Sequence, residues 1–495
     1  MKDSNAKADG QMAKKMRAFV PFWKHLPPEF IELSKDLLFL LRRYGIDKME
    51  GKNPLENRKE FFCAVHEGWK ILQKNIASEV IIRLEKIDAL KKDVVEYHKQ
   101  KNSEQKVLCK HKIDSTSFEI KILRRYIDAV VWTMFSNEHS TIRRLPLPDG
   151  NDNLSVKNIN DSMVAADIIN ENPTSFAIIS DLTTFVHAGD IIKSDFDTGI
   201  TLAEVKSGKK NIEFSHAAQF SVATKCPYFD DEFTKDFDAK DVKHYKRTKK
   251  QWERLTGITE TINTGEGHDY YHEKKVKIQE INHTPTFFFD EILDRWREIK
   301  SGKNWSIQVI DECLYIGAYS KPEMGFVGFN SWMDITDFHG RVVNISDSII
   351  NNFAQPLFCL NVPDDLLEDI VSGDLIIVLC LDYSKFMSYG NQRFPTLFGL
   401  ASPPQNGFDR NDYFMIEKKA IYTNQDGNLH FLGTGLESRI VFDFQKPSSV
   451  AEWIYKTSDL YTMKQRKKQQ EKKEAARQKK AKTKTQKNAR RISRR

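Results

Sequence analysis

Apolar residues recur at helical spacing through the first quarter of the chain. Leu33, Leu37, Leu38, Leu40 and Leu41 form one stripe, and Val80, Leu84, Ile87 and Leu90 form another. Such spacing gives a helix one apolar face. Pro27-Pro28 precedes the first stripe, where proline suits an opening helical turn. The region from about Phe19 to Phe135 is therefore read as helical, with Val94 to Lys110 as a strongly charged exposed helix or linker. A polar loop follows, Pro148-Asp-Gly-Asn-Asp-Asn-Leu-Ser, then a helical segment around Asp161 to Asn170. The period then changes. Phe176-Ala-Ile-Ile-Ser-Asp-Leu-Thr-Thr-Phe-Val reads as a buried strand, and Asp190-Ile-Ile-Lys-Ser and Ile200-Thr-Leu-Ala-Glu-Val-Lys as two more. Asp195-Phe-Asp-Thr-Gly199 between them is turn chemistry. From about Trp305 to Phe444 short apolar strands alternate with helical segments. Ile307-Gln-Val-Ile, Leu375-Ile-Ile-Val-Leu and Arg439-Ile-Val-Phe-Asp-Phe are the strand candidates.

The 495 residues suffice for two to four domains of roughly 100–200 residues each. At 40% hydrophobic and 29% charged, the composition is that of an ordinary globular chain. No stretch reaches the roughly 18 uninterrupted apolar residues of a membrane helix, and the polar N-terminus lacks the apolar core of a secretion signal. A cytoplasmic location without a membrane partner is expected. Cys63, Cys109, Cys226, Cys313, Cys359 and Cys380 form no CxxC pair, so they are read as reduced packing residues. The +7 net charge conceals an asymmetry. Lys464 to Arg495 hold 16 Lys/Arg and two Glu, a local +14, which leaves −7 for the rest. The basic character lies in that tail.

The chemistry concentrates in Gly189-Asp-Ile-Ile-Lys-Ser-Asp-Phe-Asp-Thr-Gly-Ile-Thr-Leu-Ala-Glu-Val-Lys-Ser-Gly208. Folded as a hairpin centred near Thr198, Asp190 faces Lys206. Side chains alternate along a strand, so Glu204 and Lys206 share a face and Val205 points the other way. Two carboxylates and an ammonium are thus gathered at one strand end. Phosphodiester hydrolysis needs such a group: a cation to neutralise charge and acidify a water, oxygen ligands for that cation, and a lysine to steady developing charge.

Gly189-Asp190 followed by Glu204-Val205-Lys206-Ser207-Gly208 resembles the PD-(D/E)xK, or restriction-endonuclease-like, nuclease superfamily. Gly189 stands where the name-giving proline can stand. The resemblance spans some 80 to 110 residues and implies an αβββαβ core with a mixed sheet. It implies Asp190 and Glu204 as magnesium ligands, with manganese as a substitute. It makes the Val205 carbonyl a further ligand and Lys206 the water-orienting residue. Many members carry a glutamine or lysine on the following helix. Gln251 and Gln219 are the candidates here. Gln251 is preferred because its helix also carries Lys250 and Arg254 for phosphate. An acidic residue from the first core helix is left unplaced among Glu138, Glu171 and Asp181.

The fold expected is therefore α/β (α+β). It comprises a helical region over 1–135, a restriction-endonuclease-like core over 136–300, a second α/β lobe over 301–460, and a basic disordered or helical tail over 461–495. The tail, with Lys467 and Lys468, is suited to nucleic-acid phosphates through counterion release. In a eukaryotic host it would also serve nuclear import. Lys121-Ile-Leu-Arg-Arg and Ile142-Arg-Arg-Leu are smaller basic clusters, read mainly as surface ion pairs, and Trp305, Phe326, Phe329 and Trp332 as packing residues. There is no Walker A, GxGxxG or GxSxG motif. The function expected is a metal-dependent endonuclease acting on nucleic acid, DNA above all. By analogy with bacterial defence nucleases it would act in genome defence. The alternatives are a non-catalytic nucleic-acid-binding protein with a degenerate core and an interaction protein with a chance match. A protein partner or self-association is left open.

Overall fold

The computed structural model describes residues 26–147, 154–206, 208–270, 273–278, 283–325, 327–329, 340–351, 354–403, 413–425 and 428–458. Lys467, Lys468, Phe326 and Trp332 lie outside them. The chain divides into two compact units, one formed by 20–279 and 346–374, the other by the remainder.

The first unit begins with α1 (Pro28–Arg42), α2 (Arg58–Lys99) and α3 (Ser103–Met134). Trp69, Leu72, Ile76 and Val80 form the buried stripe of α2. Leu123, Ile127 and Val130 answer it from α3. The two helices form an antiparallel pair that turns at 100–102, where Asn102 accepts the Gln105 N–H at 3.2 Å. The segment 346–374 closes on this bundle. Arg42 donates from Nε to Asp364 Oδ1 at 2.5 Å and from its guanidinium to the Leu360 carbonyl at 2.7 Å.

Next come α4 (Val156–Asn170) and the strands β1 (Ser175–Ile179), β2 (Ile191–Asp195) and β3 (Gly199–Ala203). The strands form an antiparallel meander, β1-β2-β3. After it the chain returns to helix as α5 (Lys209–Thr224), α6 (Phe229–Thr234) and α7 (Ala239–Thr264). A hairpin of β4 (Glu266–Asp269) and β5 (Lys274–Lys277) follows.

The mixed sheet expected for the core is not found: every strand pairing among the described residues is antiparallel. The reason is visible at the outer edge of β1. Gln73, 4% exposed on α2, donates to the Ala177 carbonyl at 2.8 Å and accepts from the Ile179 N–H at 3.0 Å. Asn170 Oδ1 accepts the Ala177 N–H at 2.9 Å. Two side-chain amides thus fill the hydrogen-bonding row that a parallel strand would use. The chain is α+β.

In the second unit α8 (Phe289–Lys300) packs on a four-stranded antiparallel sheet of β6 (Trp305–Ile310), β7 (Leu314–Tyr319), β8 (Gly340–Asn344) and β9 (Ile376–Asp382), in the order β6-β7-β9-β8. All seven residues of β9 are buried, as its unbroken apolar run requires. Asp382 then caps α9 (Tyr383–Arg393) through the Lys385 N–H at 3.0 Å. Arg439-Ile-Val, read as a strand, instead ends α10 (Thr434–Val441), whose Glu437, Ile440 and Val441 are buried. Those positions recur at three- and four-residue intervals, and Glu437 accepts the Tyr383 hydroxyl at 2.7 Å.

Candidate active site

The site is built at the open end of the β2–β3 hairpin. The turn end is set by Asp195. Its Oδ1 accepts the N–H groups of Asp197 and Thr198 at 3.1 and 2.9 Å, and its Oδ2 accepts the Ser175 hydroxyl at 2.6 Å. These donors hold the Asp195 carboxyl well below the usual carboxylate range, the Ser175 hydroxyl foremost. Gly199 at φ +76° closes a three-residue loop, a position that favours glycine. The register pairs Asp195 with Gly199 and Ile191 with Ala203. The hairpin is therefore centred on Asp197, one residue before the expected position. Extending that register places Asp190 opposite Glu204, not Lys206.

The ladder ends at Ala203, so Glu204, Val205 and Lys206 continue beyond the strand. Asp190 holds them there. Its N–H donates to the Ala203 carbonyl at 2.9 Å, and its Oδ2 accepts the Val205 N–H at 2.7 Å. Gly189 makes this approach possible. Its φ is +78°, and a Cβ there would lie 2.8 Å from the Ala203 carbonyl oxygen.

Glu204 and Lys206 meet on one side of the segment that follows the strand. Lys206 Nζ donates to Glu204 Oε2 at 2.6 Å and to Gln251 Oε1 at 3.4 Å. The Glu204 side chain is 9% exposed and that of Lys206 21%. Burial holds the Glu204 carboxyl above its ordinary range, and the neighbouring Asp190 charge adds to this. The Lys206 ammonium opposes both. Two acids and one ammonium thus share a partly dry space, where like charges are costly and a further cation would relieve them. Among the described residues, no three His, Cys, Asp or Glu side chains meet as a metal-ligating group. The oxygen donors here are the two carboxylates, supplemented by backbone carbonyls such as that of Val205.

Gln251 reaches the site from α7, with Arg254, Leu255 and Ile258 on the same face. These residues line a cleft of about 210 Å³ together with Leu147, His187, Gly189 and Glu204. Lys250 is exposed, one position away from that face, and Gln219 is exposed on α5. Of the three unplaced acids, Asp181 lies in the turn whose Ser180 N–H donates to the Asp190 carbonyl at 2.9 Å. Glu138 and Glu171 are exposed at helix ends.

Three contributors were not legible in the sequence. His187 lines the cleft and accepts the Leu147 N–H on Nδ1 at 3.3 Å, so its neutral form carries the proton on Nε2. Arg124 and Arg125, read as a surface cluster, are buried. Arg125 pairs with Asp128 at 2.8 Å, both wholly buried, and Asp128 accepts the Thr184 N–H at 2.8 Å. Arg124 donates to the Thr183 carbonyl. This network anchors the loop that delivers Gly189 and Asp190. Compared with known proteins, the chain matches no family model, no curated protein and no solved structure.

Proposed function

We propose that this chain is a magnesium-dependent endonuclease that cuts DNA. The observation that carries the reading is the convergence of Asp190, Glu204, Lys206 and Gln251 at one open strand end beside a cleft. The donors suit the ion: magnesium prefers oxygen ligands and keeps several waters. Asp190, Glu204 and the Val205 carbonyl would hold it. When bound, the ion supplies charge neutralisation at the phosphate and an acidified water. The remaining work falls to this chain. Asp190 fixes the Val205 peptide and thereby the direction in which Glu204 and Lys206 project. Lys206 orients the attacking water and steadies the charge that develops on the phosphate. Gln251 holds the lysine ammonium from the opposite wall, and Arg254 on the next turn of α7 takes a phosphate oxygen. Lys250 and the tail lysines Lys467 and Lys468 add electrostatic affinity without sequence preference. A cytoplasmic role in genome defence fits such an activity.

The test is incubation of the purified protein with supercoiled plasmid, with and without magnesium, beside Lys206→Ala. Nicked or linear product that needs both magnesium and Lys206 supports the reading. Equal cleavage by the variant, or none by the parent protein, overturns it.

A further inference from the structure

The pair of helices α2 and α3 carries charge that the candidate active site does not use. Its direction relative to the sheet follows from four contacts. The Phe62 ring lies 5.3 Å from Phe196 in the hairpin turn, and His66 lies 5.7 Å from Phe176 at the start of β1. Gln73 then bonds Ala177 and Ile179 at the end of β1. So α2 travels from the turn end of the sheet toward the end that holds Asp190, Glu204 and Lys206. It does not stop there. From Gln73 to Lys99 the helix continues for about 39 Å at 1.5 Å per residue. The return helix agrees. From Ser103 to Arg124, which bonds Thr183 in the loop before Asp190, α3 covers about 31 Å. The tip of the pair thus stands roughly 30–40 Å along the helix axes beyond the active end.

This outer segment adds little to the core. On α2 the last buried residue is Ile87, and on α3 only Cys109 is buried before Thr116. Its composition is basic. Residues 91–112 contain Lys91, Lys92, Lys99, Lys101, Lys106, Lys110 and Lys112 against Asp93, Glu96 and Glu104. All but Lys106 of these lysines are exposed. The ion pair of Lys91 with Asp88, at 3.4 Å between two exposed side chains, contributes little. Outside the C-terminal tail the chain is net acidic, so a local excess of four lysines at the end of an arm stands out.

We infer that the tip of this arm grips the phosphate backbone of the duplex that enters the cleft, about one helical turn from the point of cleavage. One turn of B-DNA rises about 34–36 Å, which matches the reach of the arm. Lysines paired with phosphates release counterions and bring affinity without reading sequence. The inference rests on the nucleic-acid reading of the cleft and deepens it.

The test uses the full chain with Lys92, Lys99, Lys110 and Lys112 changed to Gln, which leaves helix propensity nearly unchanged. Binding is measured in EDTA to a short duplex, a hairpin with a 6-base-pair stem about 20 Å long, and to a 40-base-pair duplex across a salt series. The short duplex cannot span cleft and tip. The variant should bind it as the parent protein does. On the long duplex it should lose tenfold or more at 100 mM salt. Its log–log salt slope should flatten by about 0.9 per lost contact, up to about 3.6. The same four positions changed to Arg should restore both. Parent-like affinity and slope on the long duplex overturn the inference, as does failure of the Arg variant to recover, or a preference of the tip lysines for poly-glutamate over duplex. Cleavage of the short duplex with magnesium reports separately on the nuclease reading, so the two can fail independently.

Discussion

Changing Gln73 to Met removes the amide that pairs the outer edge of β1 while keeping nearly the same side-chain volume. The parent side chain satisfies two backbone groups, the Ala177 carbonyl at 2.8 Å and the Ile179 N–H at 3.0 Å. A buried backbone group left without a partner costs about 1–3 kcal/mol. The two together therefore cost about 2–6 kcal/mol, with little added for packing because the volumes match. A groove of about 350 Å³ lies beside Gln73, lined also by Lys70, Lys74 and Asp167. Water entering from it would rescue one group and move the loss toward the lower figure. The assay is native-state hydrogen exchange at the Ile179 amide, alongside urea unfolding. The opening free energy at Ile179 should fall by at least about 2 kcal/mol. Because β1 pairs with β2, whose start carries Asp190, cleavage should weaken as well. A Met variant within about 0.5 kcal/mol of the parent, with Ile179 still protected, would refute the claim that these amides replace a fourth strand.

Gly189→Ala places a Cβ at φ +78° and 2.8 Å from the Ala203 carbonyl oxygen. We expect a loss of about 1–3 kcal/mol and displacement of Asp190, read as lowered thermal stability together with lost cleavage. His66 is buried against Phe62 and Trp69, and its pKa is lowered to about 4 by desolvation first and by Lys70 second. The unfolded chain takes up that proton near pH 6.5 and the folded one does not. Stability is therefore complete above pH 6.5 and falls by up to about 3 kcal/mol as pH drops toward 4. His66→Phe should flatten the curve in that window and leave it unchanged above. Asp195 has the opposite origin and a lower window. Its carboxyl is depressed by hydroxyl and backbone donors, so its contribution is present above the ordinary carboxylate range and is lost below it. Asp195→Asn should remove that acid-limb loss in the same unfolding series. At the candidate site the Glu204 carboxyl is raised by burial and by Asp190, and Lys206 opposes the rise. Magnesium binding should then set in at a pH above that of an ordinary glutamate. Lys206→Met should push the onset higher still, which calorimetric titration at stepped pH will show.

The helices and the hairpin were legible because each rests on local pattern. Leu37, Leu38 and Leu41 are buried on α1, and Val80 and Ile87 on α2, as their spacing required. The turn after Asp195 was readable from its Asp and Gly, but the register was not. Period-2 alternation does not fix loop length, and a left-handed Gly199 shortened the loop. Glu204 and Lys206 were expected inside a strand. The ladder stops at Ala203 because the Asp190 carboxylate, a side chain, takes the Val205 N–H. What sequence could not supply was tertiary. Nothing local marks Gln73 as an edge partner of a strand some 100 residues away, or Arg125 as a buried ion. Both resemble the surface polar residues of any helix. The contact of Gln251 with Lys206 spans 45 positions and depends on α7 returning over the hairpin. The absence of a parallel strand from this sheet was not foreseen for the same reason, since the amides that take its place come from two different helices.

The most direct measurement is cleavage of an end-labelled 40-base-pair duplex by the parent protein and by Asp190→Asn across a magnesium titration. Duplex affinity is measured in parallel in EDTA. Product should saturate with magnesium for the parent and be absent for the variant, with equal duplex affinity for both. Product from the variant at the parent's rate, or product from either protein without any divalent ion, would contradict the magnesium-dependent nuclease reading.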